Sequence, residues 1–168
     1  EQKYSIDVLS NAMADASKRL RGNGTESFSI FLDSFGNSGL RVEEIVEKAA
    51  LSSLMGLYQF TEFKTKDKEE IKHIRQITIM TNSNKDFDSQ IRYASIVAGA
   101  VNKARDLINT PPNIATPEFV ANYAKELARK SGLKCAVFDE KQIEKMKMGC
   151  FIGVAQGSAN KPRLVVLE

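Results

Sequence analysis

The chain has 168 residues, of which 42% are hydrophobic and 27% charged, with no Trp; this is ordinary globular composition and enough to bury a core without staples. A net charge of +3, with Lys and Glu interspersed along most helical segments, reads as a solvated surface rather than a nucleic-acid footprint. Two cysteines, Cys135 and Cys150, exclude a disulfide framework and carry no C-x-x-C spacing, and no apolar run reaches the length of a membrane span. A reduced, cytoplasmic setting is expected.

In chain order, Ile6, Leu9, Met13, Ala16 and Leu20 recur at helical spacing and predict an amphipathic helix near 4–21 that stops at Gly22. Phe28-Ser-Ile-Phe-Leu32 is a short β-like run, followed by a turn-rich loop over 33–39. Val42, Ile45, Val46, Ala49, Ala50, Leu54 and Leu57 then line one face of a helix, with Glu43, Glu44, Glu47 and Lys48 opposite. Residues 58–63 are expected to be extended. A charged stretch over 64–72 leads to a strand at Ile74-Arg-Gln-Ile-Thr-Ile-Met80. Helix, strand, helix, strand is the rhythm of an α/β layer.

A long helix follows from about Ser89 to Ile108, with Ile91, Ala94, Val97, Ala98, Val101, Ala104 and Ile108 on its apolar face. Pro111 and Pro112 lack amide hydrogens and fix φ, so this helix cannot run past Thr110. The next helix, from Pro117 to about Ser131, has Thr116 at its N-cap, Pro at its first position, Glu118 near its positive end and Gly132 as its stop. A strand at 133–138 and a short helix at 140–146 come next. The glycines at 149, 153 and 157 fall every fourth residue, but the flanking Phe151-Ile and Val154-Ala favour a buried strand over 151–155. Arg163-Leu-Val-Val-Leu-Glu168 reads as a strand that stops without a turn or tail, so the sequence is expected to be a piece of a longer chain.

No complete catalytic set can be assembled from these residues. His73 is the one histidine and lies in a Lys/Glu-rich stretch, where a surface or strand-edge role is expected; with two unspaced cysteines it cannot form a His/Cys zinc site. G-x-S-x-G, G-x-x-x-x-G-K-[ST] and G-x-G-x-x-G are all absent. Asp106, beside Arg105 late in the long helix, is a ligand candidate, but a helix-end or interdomain hydrogen bond is the commoner use of such a residue. Asn109 and Asn113 flank the prolines and suit backbone bonds in the turn.

Ala104-Arg-Asp-Leu-Ile-Asn-Thr-Pro-Pro-Asn113, followed by Thr116-Pro-Glu-Phe119, resembles the interdomain segment of the leucyl (cytosol) aminopeptidase family of metallo-exopeptidases. The resemblance continues through Phe138-Asp-Glu140, Met148-Gly149 and Val154-Ala-Gln-Gly-Ser-Ala-Asn-Lys-Pro-Arg-Leu164. It is dense over 89–168 and rests mainly on element order over 1–88.

The resemblance implies an α/β fold in three parts: 1–88 as the later part of a macro-domain-like, three-layer N-terminal domain, 89–113 as a connecting helix and Pro-Pro elbow, and 114–168 as the truncated opening of an α/β peptidase domain. It also implies a parent enzyme that removes N-terminal residues from peptides by means of two divalent metal ions, Zn or Mn, and that assembles as a homo-hexamer. The family's ligand and catalytic motifs, G-K-G-x-x-x-D-S-G-G and N-T-D-A-E-G-R, do not occur, so catalytic, metal and cofactor residues are expected to number none in this sequence. An inactive piece of an aminopeptidase is therefore expected. The alternative from another class is a free-standing, macro-like module that binds a nucleotide or ADP-ribose, or a regulatory module.

Overall fold

The computed structural model describes residues 5–33, 35 and 39–168 in full, and the backbone of residue 34. The chain divides into two compact units, Glu1–Asp106 and Leu107–Glu168. Both are α/β.

Unit 1 begins with helix α1 (Ile6–Gly22), whose N-cap hydroxyl on Ser5 accepts the Val8 N–H at 3.3 Å. The predicted first residue of this helix, Tyr4, lies outside the described residues. Strand β1 (Ser27–Phe31) is followed by a single 3-10 turn, Leu32–Phe35, and the rest of the loop expected over 33–39 lies partly outside the described residues. Helix α2 (Val42–Gly56) then crosses back to strand β2 (Gln76–Met80), which pairs in parallel with β1 from Ser27↔Gln76 to Phe31↔Met80. A parallel pair needs a crossover, and α2 supplies it.

The core of unit 1 gathers Leu9, Ile30, Leu32, Ile45, Val46, Ala49 and Phe87, with Met13, Phe28, Ile77 and Ile79 packed around it. The α2 stripe faces inward at Ile45, Val46, Ala49 and Ala50, whereas Val42, placed on the same face, is exposed at the start of the helix. The α1 stripe departs from prediction by one position: Ala16 is exposed, and Ser17 is buried instead, its hydroxyl donating to the Met13 carbonyl at 2.7 Å. Such a bond to the fourth residue back satisfies the hydroxyl within the helix and makes serine tolerable there. Ser53 of α2 is also fully buried, and its Oγ has no hydrogen-bond partner. Asp33 ties the carboxyl ends of the two strands together, accepting from the Thr81 hydroxyl at 3.3 Å and the Asn82 N–H at 3.0 Å.

Residues 58–63 do not form the expected strand. They run as an irregular segment with a turn at Glu62 and Phe63, the Phe60 and Phe63 rings 5.7 Å apart at centre. Helix α3 (Asp88–Asn109) starts after the buried Phe87 and buries only Ala94 and Ala98, while Ile91 and Ile108, both placed on the predicted apolar face, are exposed.

In unit 2, helix α4 (Pro117–Ser131) has the predicted entrance. The Thr116 hydroxyl accepts the Phe119 N–H at 3.3 Å, and Gly132 closes the helix at φ 71°, where a side chain would clash. Ala121, Ala124 and Ala128 line its buried face. Strands β3 (Cys135–Phe138) and β4 (Leu164–Leu167) pair antiparallel, with Cys135 opposite Leu167 and Phe138 opposite Leu164. Between them lie helices α5 (Glu140–Lys145) and α6 (Gly149–Ala155). Ile143 of α5 is fully buried, which stabilises the unit by about 2 kcal/mol.

Helix α6 corrects the strand expected over 151–155. Ile152 N–H donates to the Met148 carbonyl at 3.2 Å and Gln156 N–H to the Ile152 carbonyl at 3.1 Å, so the backbone closes on itself and needs no sheet partner. The fourfold glycine spacing was the better guide to conformation, although a Cβ on Gly149 or Gly153 would meet nothing within 4 Å and the glycines serve no close packing among the described residues.

Candidate functional site

The tract that carries the family resemblance, 148–164, folds around an open groove of about 350 Å³ in unit 2. Pro117, Phe151, Val154, Ala155 and Pro162 form its apolar wall, and Ser158, Asn160 and Arg163 its polar rim. Val154 of α6, 88% exposed, lies on this apolar wall.

Arg163 is the one ionisable side chain on the rim, and it is already committed. Its guanidinium donates through Nε and Nη2 to Glu118 Oε2, both at 2.7 Å, and through Nη1 to the Pro162 carbonyl at 3.0 Å. Glu118 sits in the first turn of α4, where a carboxylate also complements the helix dipole. The pair therefore fixes the chain entering β4 to the start of α4. A second ion pair, Lys161 to Glu140 at 2.8 Å, ties the same tract to the start of α5. Chemically the groove offers an apolar surface with an oriented arginine; its lining contains neither a nucleophile–base pair nor a set of carboxylates.

The remaining candidates lie apart from this groove or are used structurally. His73 is exposed in the segment leading to β2. Cys135 is half-buried on β3 and Cys150 exposed on α6, and neither forms a disulfide. Asp106 accepts a hydrogen bond from the Tyr58 hydroxyl at 2.9 Å within unit 1. Asn109 ends α3, and Asn113 is exposed in the turn after the prolines. Among the described residues, no three His, Cys, Asp or Glu side chains come together as a metal-binding group. Nor is any helix among them long and apolar enough to cross a membrane.

The Arg163–Glu118 and Tyr58–Asp106 contacts could not be read from the sequence. Their partners are 45 and 48 residues apart, and no periodicity or spacing rule reaches across that distance.

Two sequence profiles of one family match consecutive parts of the chain: the N-terminal domain of the cytosol aminopeptidase family over residues 1–67, and its catalytic domain over 102–168. The chain belongs to the cytosol aminopeptidase family. Two proteins named "Probable cytosol aminopeptidase" are similar to it. That of Desulfovibrio desulfuricans is 41% identical over 129 residues, 75% of this chain and 26% of the relative. That of Aquifex aeolicus is 34% identical over 167 residues, 99% of this chain and 32% of the relative.

Among solved structures, a tomato leucine aminopeptidase variant superposes with a TM-score of 0.87 at 22% identity, covering 99% of this chain and 34% of that one. The bottromycin maturation enzyme BotP in complex with Mn superposes with a TM-score of 0.83 at 23% identity, covering 97% and 33%. At these identities the likeness establishes the fold. The chain spans about a quarter to a third of the length of the curated relatives it matches.

Proposed function

We propose that this chain supplies part of the N-terminal domain and the opening of the catalytic domain of a leucyl aminopeptidase, a cytoplasmic, hexameric enzyme that removes N-terminal residues from peptides with two divalent metal ions, Zn or Mn. The observation that carries this reading is the order of the two family domains along one chain, N-terminal over 1–67 and catalytic over 102–168. The Mn complex of BotP, which shares the fold, supports a metal-dependent reaction. The alternative of a free-standing nucleotide-binding module gains no support from these matches.

Two-metal hydrolysis needs carboxylates that converge on shared ions. Among the described residues no three His, Cys, Asp or Glu side chains come together, and the family motifs that would supply such carboxylates do not occur in the sequence. The chain's own contribution is structural: the elbow, the capped start of α4 and the Glu118–Arg163 tie hold the groove and the strand β4 beside it.

Leucyl-p-nitroanilide tests the proposal directly. With Mn²⁺ or Zn²⁺ added, the 168-residue chain is expected to give no turnover above buffer, while a family-length protein that contains it cleaves the substrate. Metal-dependent turnover by the short chain would overturn the claim that it holds no catalytic group. Failure of the metal-loaded long protein on leucyl and other aminoacyl substrates would overturn the activity itself.

A further inference from the structure

The last part of α3 inside unit 1 is held by polar contacts rather than by burial. From residue 99 to Asp106 no side chain is buried, and the two core positions of the helix, Ala94 and Ala98, lie earlier. What grips this stretch is the carboxyl end of α2. Arg105 Nη1 donates to the Met55 carbonyl at 3.0 Å and to Asn102 Oδ1 at 3.3 Å, and its guanidinium lies 5.4 Å from the centre of the Tyr58 ring. The Tyr58 hydroxyl in turn donates to Asp106 Oδ1 at 2.9 Å. Arg21 from α1 adds a bond to the Leu57 carbonyl at 2.8 Å, so two guanidinium groups meet the negative end of the α2 dipole.

We propose that Tyr58, Arg105 and Asp106 form a latch that governs local opening of the last turns of α3 independently of the unit 1 core. Three features make it separable. The latch is partly buried, where a hydrogen bond to a carboxylate is worth more than on the open surface. The cation–π contact and the tyrosine–carboxylate bond share one ring, so removing either partner loosens both. Beyond it Ile108 is 81% exposed, and Pro111 forbids continuation of the helix. The unit boundary falls directly after Asp106, the last residue the latch holds. Segments with few buried apolar contacts open at lower free energy than the core, and here one three-residue cluster sets that value.

Hydrogen exchange on the full chain tests this, read by mass spectrometry over residues 99–109 against α1, α2 and the strands. Tyr58→Phe keeps the ring under Arg105 and removes only the hydroxyl; Asp106→Ala removes the acceptor. Both are expected to speed exchange in 103–109 by about tenfold while leaving α1, α2, β1 and β2 unchanged. Asp106→Asn, which keeps an oxygen acceptor, should restore most of the protection. Unchanged exchange at 103–109 in both Tyr58→Phe and Asp106→Ala would overturn the latch. So would an equal rise throughout unit 1, which would mark the contacts as ordinary contributors to global stability.

Discussion

Gly56, at the end of α2, lies against the backbone of Ala14 in α1: a Cβ built on it would stand 2.6 Å from the Ala14 carbonyl oxygen and 2.7 Å from its Cα. The helices approach this closely because the residues in the seam are small. Ser17 and Ser53 are both fully buried, and Ala49 and Ala50 complete the inward face of α2.

Gly56→Ala is therefore expected to destabilise unit 1 by about 1–3 kcal/mol, the range for overpacking against atoms that cannot move aside. Intrinsic propensity points the other way, since alanine is favoured over glycine in a helix by about 1 kcal/mol. Gly99, in the exposed part of α3, has nothing within 4 Å of its own Cβ position. Gly99→Ala should accordingly stabilise by about 0.5–1 kcal/mol. Urea midpoints of the two variants check the argument, which fails if both shift in the same direction.

The same seam shows what a sequence reading captures. The α2 stripe was legible because Ile45, Val46, Ala49 and Ala50 are apolar and recur with the helical period. Ser17, Ser53 and Gly56 were not, because a binary apolar–polar pattern scores small polar residues as surface, whereas helix contact selects for size. Thr116 and Gly132 were legible for a different reason: a cap is decided by one residue and its immediate neighbours. Helix α6 was misread since Phe-Ile-Gly-Val-Ala is too short to show a period, and short apolar runs fit a strand as well as a helix. The exposed Ile108 and the groove around Val154 belong to surfaces whose burial no local pattern can announce. The Arg163–Glu118 tie depends on how α4 and β4 come together, which is a property of the folded unit alone.

Acid should weaken the protein through three glutamates. Glu43 is held below the ordinary carboxylate range chiefly by the hydrogen bond from Lys85, Glu44 by that from Arg41, and Glu126 by that from Arg129. A carboxyl whose folded pKa lies below its unfolded value favours the native state fully above the unfolded value. It loses that contribution as pH falls through the folded one. All three pairs are solvent-facing, so the effect is small and salt-sensitive. A triple variant, Glu43→Gln, Glu44→Gln and Glu126→Gln, should have a lower urea midpoint than the parent at pH 7 in low salt. The gap should narrow in 1 M NaCl and close at pH values below the carboxylate range. A gap that persists in acid would show that the side chains act through packing rather than charge.

Lys147 is the site at which a substitution should strengthen unit 2. It follows α5 with φ 59°, a left-handed conformation that costs a residue with a Cβ about 1–2 kcal/mol. The chain accepts it because the turn closes the helix: Lys147 N–H donates to the Glu144 carbonyl at 2.9 Å and Met148 N–H to the Ile143 carbonyl at 3.4 Å, the paired bonds of a Schellman ending. The exposed lysine side chain makes none of these bonds, since both are backbone contacts. Lys147→Gly keeps them and removes the Cβ clash, although the added freedom of glycine in the unfolded chain offsets part of the gain. A net stabilisation of about 0.5–1 kcal/mol is expected. Lys147→Ala retains the strain while also removing the side chain, and should leave stability near that of the parent. Thermal melts of the two variants separate the causes: if alanine stabilises as much as glycine, the benefit comes from losing the lysine's charge or entropy, and the left-handed backbone is not the source of strain.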